Sequence, residues 1–107
     1  MLEDAALADF ERRAVEHLHR TLPAQCAALG RPAVRDSVRD AIAKARGYGI
    51  KSEADVLSYL NLMYLLGFDF ESQPRFAWAN ELLQATDVQA ASRLTLLRNR
   101  AMREIFP

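Results

Sequence analysis

Thirteen consecutive residues, Val56 to Phe68, carry no charge, and they follow a Ser–Glu–Ala–Asp start and run into a glycine. Ser52 is placed to cap a helix, with its hydroxyl accepting from the Asp55 amide and Asp55 reaching back. Glu53 and Asp55 add negative charge where a helix N-terminus favours it. Beyond them Leu57, Tyr59, Leu60, Leu62, Met63, Tyr64, Leu65 and Leu66 cover every face of the helix. A short helix that is apolar all round belongs in the middle of a core, and Gly67 ends it. The run is too short to cross a bilayer, which needs about 20 apolar residues. The constraint is therefore architectural: other helices must surround residues 53–66.

The rest of the chain supplies those helices. Four glycines and four prolines punctuate it, and no stretch alternates apolar and polar residues long enough for a strand. A first helix from Glu3 to Arg20 aligns Leu7, Phe10, Ala14 and Leu18 on one stripe. Pro23 opens a short helical turn that Gly30 closes. A longer helix starts at Pro32 and runs to Arg46 with Val34, Val38, Ile42 and Ala45 inward. Gly47 and Gly49 offer its left-handed terminus, and Ile50 folds back against it. Pro74 starts another helix carrying Phe76, Trp78, Leu82 and Leu83. Thr86 and Gln89 form a capping box for the last one, with Ala90, Leu94, Leu97, Ala101 and Ile105 inward. The expected fold is all-α, one domain over residues 1–107, a compact bundle of about five helices around the central apolar one.

Charge narrows the function classes. Fourteen basic residues balance fourteen acidic ones, which gives no prior for nucleic acid or an anionic membrane. The sign alternates along the chain: residues 1–20 are net acidic, 31–51 basic, 52–73 acidic with no base, and 74–107 basic. Pairing between neighbouring helices is the simpler reading, and a two-signed binding surface the other. One cysteine, Cys26, excludes an intrachain disulfide framework and fits a reducing compartment. The acidic, amphipathic N-terminus lacks the pattern of a signal peptide. A cytoplasmic location is expected, with no membrane partner.

Candidate chemistry is sparse. His17 and His19 point about 200° apart on a helix and cannot share one ion. Cys26 lies among alanines with nothing to activate it. No phosphate loop, nucleophile elbow or dinucleotide fingerprint occurs. Asp69, Glu71, Glu53 and Asp55 offer oxygen ligands but lack an EF-hand's spacing. Arg93, Arg100 and Arg103 recur at helical-neighbour spacing; without net basic charge they read as a solvated face rather than a phosphate contact. No catalytic residue, cofactor or metal is implied. Six of the nine aromatics, Tyr59, Tyr64, Phe68, Phe70, Phe76 and Trp78, stand in or beside the base-free segment. Most must be core, but aromatics rimmed by charge are what protein-binding surfaces use. The candidate partner-binding residues are Phe68, Asp69, Phe70, Glu71 and Trp78.

The segments PAQCAALG, RDAIAKARGYGIKSEADV and YLNLMYLLGFDFESQPRFAWANELL, with FERRAVEHLHRTLP before them, carry a resemblance over roughly residues 8–85. The ordered motifs are Tyr48, Gly49, Ile50, Ser52 and Glu53, then Gly67, Asp69 and Phe70, then Pro74, Trp78 and Ala79. They resemble small helical proteins encoded beside bacterial type VI secretion effectors. They are also similar to the helical segment after the adaptor domain in proteins that load effectors onto VgrG and PAAR spike components. That family often has proline before the tryptophan, where Ala77 stands here. The resemblance implies a non-enzymatic adaptor or chaperone-like accessory whose partner is a type VI effector or a spike component. An immunity protein neutralising a neighbouring toxin and a self-associating helical protein, including a homodimer, are the alternatives.

Overall fold

The computed structural model describes residues 4–105, which form six α-helices and no strand among the described residues. They are α1 (Asp4–Thr21), α2 (Pro23–Leu29), α3 (Arg31–Gly47), α4 (Glu53–Leu66), α5 (Ala77–Gln84) and α6 (Ala90–Ile105), with 3-10 turns at Phe70–Ser72 and Pro74–Phe76. The all-α bundle is as the periodicity predicts. The expected start of α1 at Glu3 lies outside the described residues. The body measures 32 × 31 × 19 Å, and its radius of gyration, 13.5 Å, is that of a compact domain of this length.

The α3–α4 corner shows why local sequence decides so much here. Gly49 takes φ +75°, the left-handed state that costs any other residue steric strain. The Gly49 amide then donates to the Arg46 carbonyl at 3.1 Å and the Ile50 amide to the Ala45 carbonyl at 2.9 Å. This is the Schellman pair that satisfies the last helical carbonyls, with buried Ile50 closing over buried Ala45. Gly47 remains helical, so Gly49 alone supplies the reversal. Two residues on, the Asp55 amide donates to Ser52 Oγ at 3.1 Å and opens α4. Glu53 is held from outside its own helix, its carboxylate receiving Arg13 Nη2 of α1 at 2.9 and 3.1 Å.

α4 packs against α3 on one side and α6 on the other; α1 and α2 cover α3, and α5 covers α6. Val56, Tyr59, Leu60, Leu62, Met63, Tyr64 and Leu66 of α4 are buried, and burying each large apolar side chain stabilises by about 1.5–3 kcal/mol. A strip of Ala54, Ser58, Asn61 and Leu65 stays exposed, so the helix is enclosed on most of its circumference rather than all of it. Tyr64 keeps its hydroxyl partnered inside, 2.7 Å from Ser37 Oγ, which in turn donates to the Val34 carbonyl at 2.6 Å.

Three expectations are corrected. The helix expected from Pro74 is a 3-10 turn over Pro74–Phe76 and becomes α-helical only at Ala77. The Thr86–Gln89 capping box does not form. Thr86 lies in a turn, its amide donating to the Gln84 carbonyl at 2.8 Å, and α6 begins at Ala90. Ile105 is 37% exposed rather than inward.

Candidate functional site

Past Gly67 the chain reverses and presents the acidic aromatic turn against α3. Phe68 is half-buried, its ring edge-on to Tyr64 at 5.0 Å. Asp69 is exposed and bonds Lys44 Nζ at 2.8 Å. The same ammonium donates to the Phe68 carbonyl at 3.0 Å and lies 3.4 Å from both Asp40 and Glu71. Burial works to lower the Lys44 pKa. The bonded Asp69, with Glu71 and Asp40 close by, outweighs it, and the net shift is well upward. The base-free segment is therefore braced by a base from another helix. One cation faces three carboxylates, so the exposed Asp40 and Asp69 leave this corner acidic.

Glu71 points inward. Its side chain is 12% exposed, Oε1 accepts from Tyr59 Oη at 3.3 Å, and Oε2 is buried with no partner among the described residues. Burial, and then the Glu71 charge, push the Tyr59 hydroxyl far above the usual tyrosine range. Phe70 is wholly buried and tilts against Tyr59 with ring centres 5.9 Å apart. As a partner contact Phe70 must be withdrawn: its ring is the bottom of the turn, not its surface. Phe68 is half-exposed and Asp69 exposed on the outer side of the turn, and Glu71 lies beneath them.

Trp78 belongs to a different face. It sits half-buried on α5, edge-to-face with buried Phe76 at 6.1 Å and 84°. Arg100 of α6 stacks over its ring at 4.9 Å and Arg75 over the Phe76 ring at 4.6 Å. Its Nε1 is buried without an acceptor among the described residues. The tryptophan expected on an acidic rim is rimmed by arginine.

Arg93, read as part of a solvated face, is only 3% exposed. Nε donates to the Val88 carbonyl at 3.0 Å, and Nη1 donates to the carbonyls of Tyr48 at 2.9 Å and Leu83 at 2.6 Å. It ties the α3–α4 corner, the end of α5 and the start of α6 together, a structural role rather than a solvated face. Its register signalled this, since it lies three residues after Ala90 and four before Leu97 on the inward stripe. Lys44 could be anticipated only as an i,i+4 partner of Asp40; its reach to Asp69 is tertiary.

Elsewhere, a groove of about 540 Å³ between α1, α2 and α4 is lined by His17, Thr21, Leu22, Gln25, Asn61, Tyr64 and Leu65. It offers one imidazole among amides, hydroxyls and leucines. Cys26 is buried, and burial raises its thiol pKa, the opposite of activation. No group of three or more His, Cys, Asp or Glu that could hold a metal ion occurs among the described residues, and no described helix is long and apolar enough to cross a membrane. Comparison with known proteins finds no family model, no curated protein and no solved structure that matches this chain.

Proposed function

We propose that the chain is a non-enzymatic protein-binding module. In this reading it is an adaptor or chaperone-like accessory in the cytoplasm, holding a type VI secretion effector or coupling it to a VgrG or PAAR spike component. The sequence motifs are what support the type VI system, and the braced turn is what supports the surface. The observation that carries the reading is the Lys44 anchor: it fixes Phe68 and Asp69 on the outside of a turn whose interior is Phe70 and Glu71. A preorganised aromatic with an exposed carboxylate beside it meets a partner at little ordering cost.

The test is co-purification of the full chain with the effector or spike protein that this reading expects to be encoded beside it. Phe68→Ala with Asp69→Asn is expected to weaken capture at least about tenfold, as loss of a central interface contact does, while the circular dichroism spectrum stays unchanged. Failure of the wild-type chain to retain either neighbour would sink the type VI reading. Undiminished capture by the double variant would sink this surface. Rescue of cells from a co-expressed toxin, without any spike association, would move the assignment to an immunity protein.

A further inference from the structure

We propose that the Phe76–Trp78 face is a second docking site, built to take an acidic segment of a partner protein. The inference rests on the reading that the chain binds proteins, and it adds a face of opposite sign to the acidic turn. Arg75 follows Pro74 in the 3-10 turn and lies over Phe76; Arg100 reaches from α6 over Trp78. A guanidinium lying on an aromatic ring is held by cation–π attraction and keeps its N–H edge free. Such an edge is the geometry that receives a carboxylate through two parallel hydrogen bonds. Two of them, on either side of one edge-to-face ring pair, form a fork for successive acidic side chains.

The surrounding charges favour the same occupant. Arg75 forms no ion pair among the described residues. Arg100 is bonded to Glu104 at 3.2 Å, but that pair is about half-exposed, 46% and 48%, and such pairs contribute little. It is therefore readily exchanged for a better-placed carboxylate. Arg103 follows three residues after Arg100, and exposed Leu96 (50%) precedes Arg100 by one helical turn. The α6 ridge thus offers an apolar contact beside the cations. Glu81, three residues beyond Trp78, is the other acid nearby on α5 and makes no ion pair among the described residues.

A protein segment fits better than a nucleic acid. Single strands bind by stacking bases on open aromatic faces, and here guanidinium groups already lie over both rings. The zero net charge of the chain also lacks the long basic stripe that phosphate tracking needs.

The experiment uses the full chain, a fluorescein-labelled oligo-glutamate decapeptide read by anisotropy, and the emission of Trp78, which is the sole tryptophan. Saturable binding is expected, accompanied by a shift in Trp78 emission. Raising NaCl from about 0.05 to 0.2 M should weaken it several-fold, because exposed charges are screened over that range. Arg75→Gln with Arg100→Gln should weaken binding at least about tenfold with the fold intact. Arg31→Gln with Arg35→Gln, an exposed arginine pair on α3, should leave it unchanged. The proposal is overturned by absence of saturable binding, by equal losses in the two double variants, or by tighter binding of an oligothymidylate than of the peptide. Failure of this surface and failure of the adaptor reading separate cleanly. If the effector or spike co-purifies with wild type while the peptide shows no saturable binding, the reading survives and this face is wrong. If wild type binds the peptide and retains neither neighbour, this face survives and the type VI reading is wrong.

Discussion

Arg93 occupies a position where the inward stripe of α6 would ordinarily place an aliphatic side chain. Its three carbonyl partners come from residues 45, 10 and 5 positions away in sequence, so a single side chain joins three connections that no backbone ladder reaches. The Leu83 bond is buried and the other two are part-buried; a buried carbonyl left without a donor costs about 1–3 kcal/mol, and a part-buried one less because water reaches it. Arg93→Met keeps much of the volume and strands all three, with entering water offsetting part of the loss. The expected destabilisation is about 3–5 kcal/mol in urea unfolding followed by circular dichroism, and a loss below about 1 kcal/mol would mean that the carbonyls find other donors. Arg93→Lys should recover less than half, because an ammonium is a point donor and cannot span carbonyls that Nε and Nη1 reach separately. Phe70 carries the complementary lesson. Its place in the motif made it look like a contact, whereas burial makes Phe70→Ala a core deletion of about 3–5 kcal/mol.

At the scale of elements, the helices that end on local chemistry were legible and those that end on tertiary contacts were not. The Gly49 reversal, the Ser52 cap and the Gly67 stop are written in residues whose backbone or side-chain preferences act within one turn. Gly67 shows how strict this is: φ +117° with ψ 150° is a region essentially closed to other residues. The α5–α6 connection obeys a different authority. Thr86 and Gln89 have the spacing of a capping box, but Arg93 Nε holds the Val88 carbonyl and the chain enters α6 only after it. Phe76 likewise sinks into the core with φ −113° and ψ 25°, which interrupts the helix that Pro74 begins. The candidate site divided the same way: composition placed the acids and aromatics in one segment, but only packing sends Phe70 inward and gives Trp78 an arginine rim. A pair of alanine substitutions separates the two authorities. Ser52→Ala should cost about 1 kcal/mol, the usual value of a lost N-cap, lowering the melting temperature by roughly 4–8 °C for a domain near this size. Thr86→Ala, which removes a cap that never forms, should stay within about 0.5 kcal/mol of wild type. Equal losses at the two sites would show that Thr86 does cap α6.

Across the whole molecule, the charge segments resolve into bonds between helices. Arg39 of α3 meets Glu11 of α1 at 3.3 Å, Arg13 of α1 meets Glu53 of α4, and Lys44 of α3 meets Asp69. These pairs help set which helices lie side by side, while the core beneath them contains groups that resist losing a proton. Burial raises the pKa of Cys26 above its ordinary 9.0 and of Tyr48, Tyr59 and Tyr64 above their ordinary 10.0. Lys44 shifts upward from 10.5 because its carboxylates overcome its desolvation. All five shifts have the same sign. Below about pH 9 both folded and unfolded chains hold these protons, and the stabilisation is fully present. Above it the unfolded chain releases protons that the folded chain retains, so stability falls as pH rises, with each fully released group adding at most about 1.4 kcal/mol per pH unit to the slope. Urea midpoints should therefore decline from about pH 9 and most steeply above pH 10, where tyrosine and lysine both titrate in the unfolded state. Tyr59→Phe should start from a lower midpoint, having lost the bond to Glu71, yet decline less steeply between about pH 10 and 11 because one retained proton is gone. A midpoint that holds level to about pH 11 would mean that these hydroxyls and the Lys44 ammonium exchange protons as freely in the bundle as in the unfolded chain.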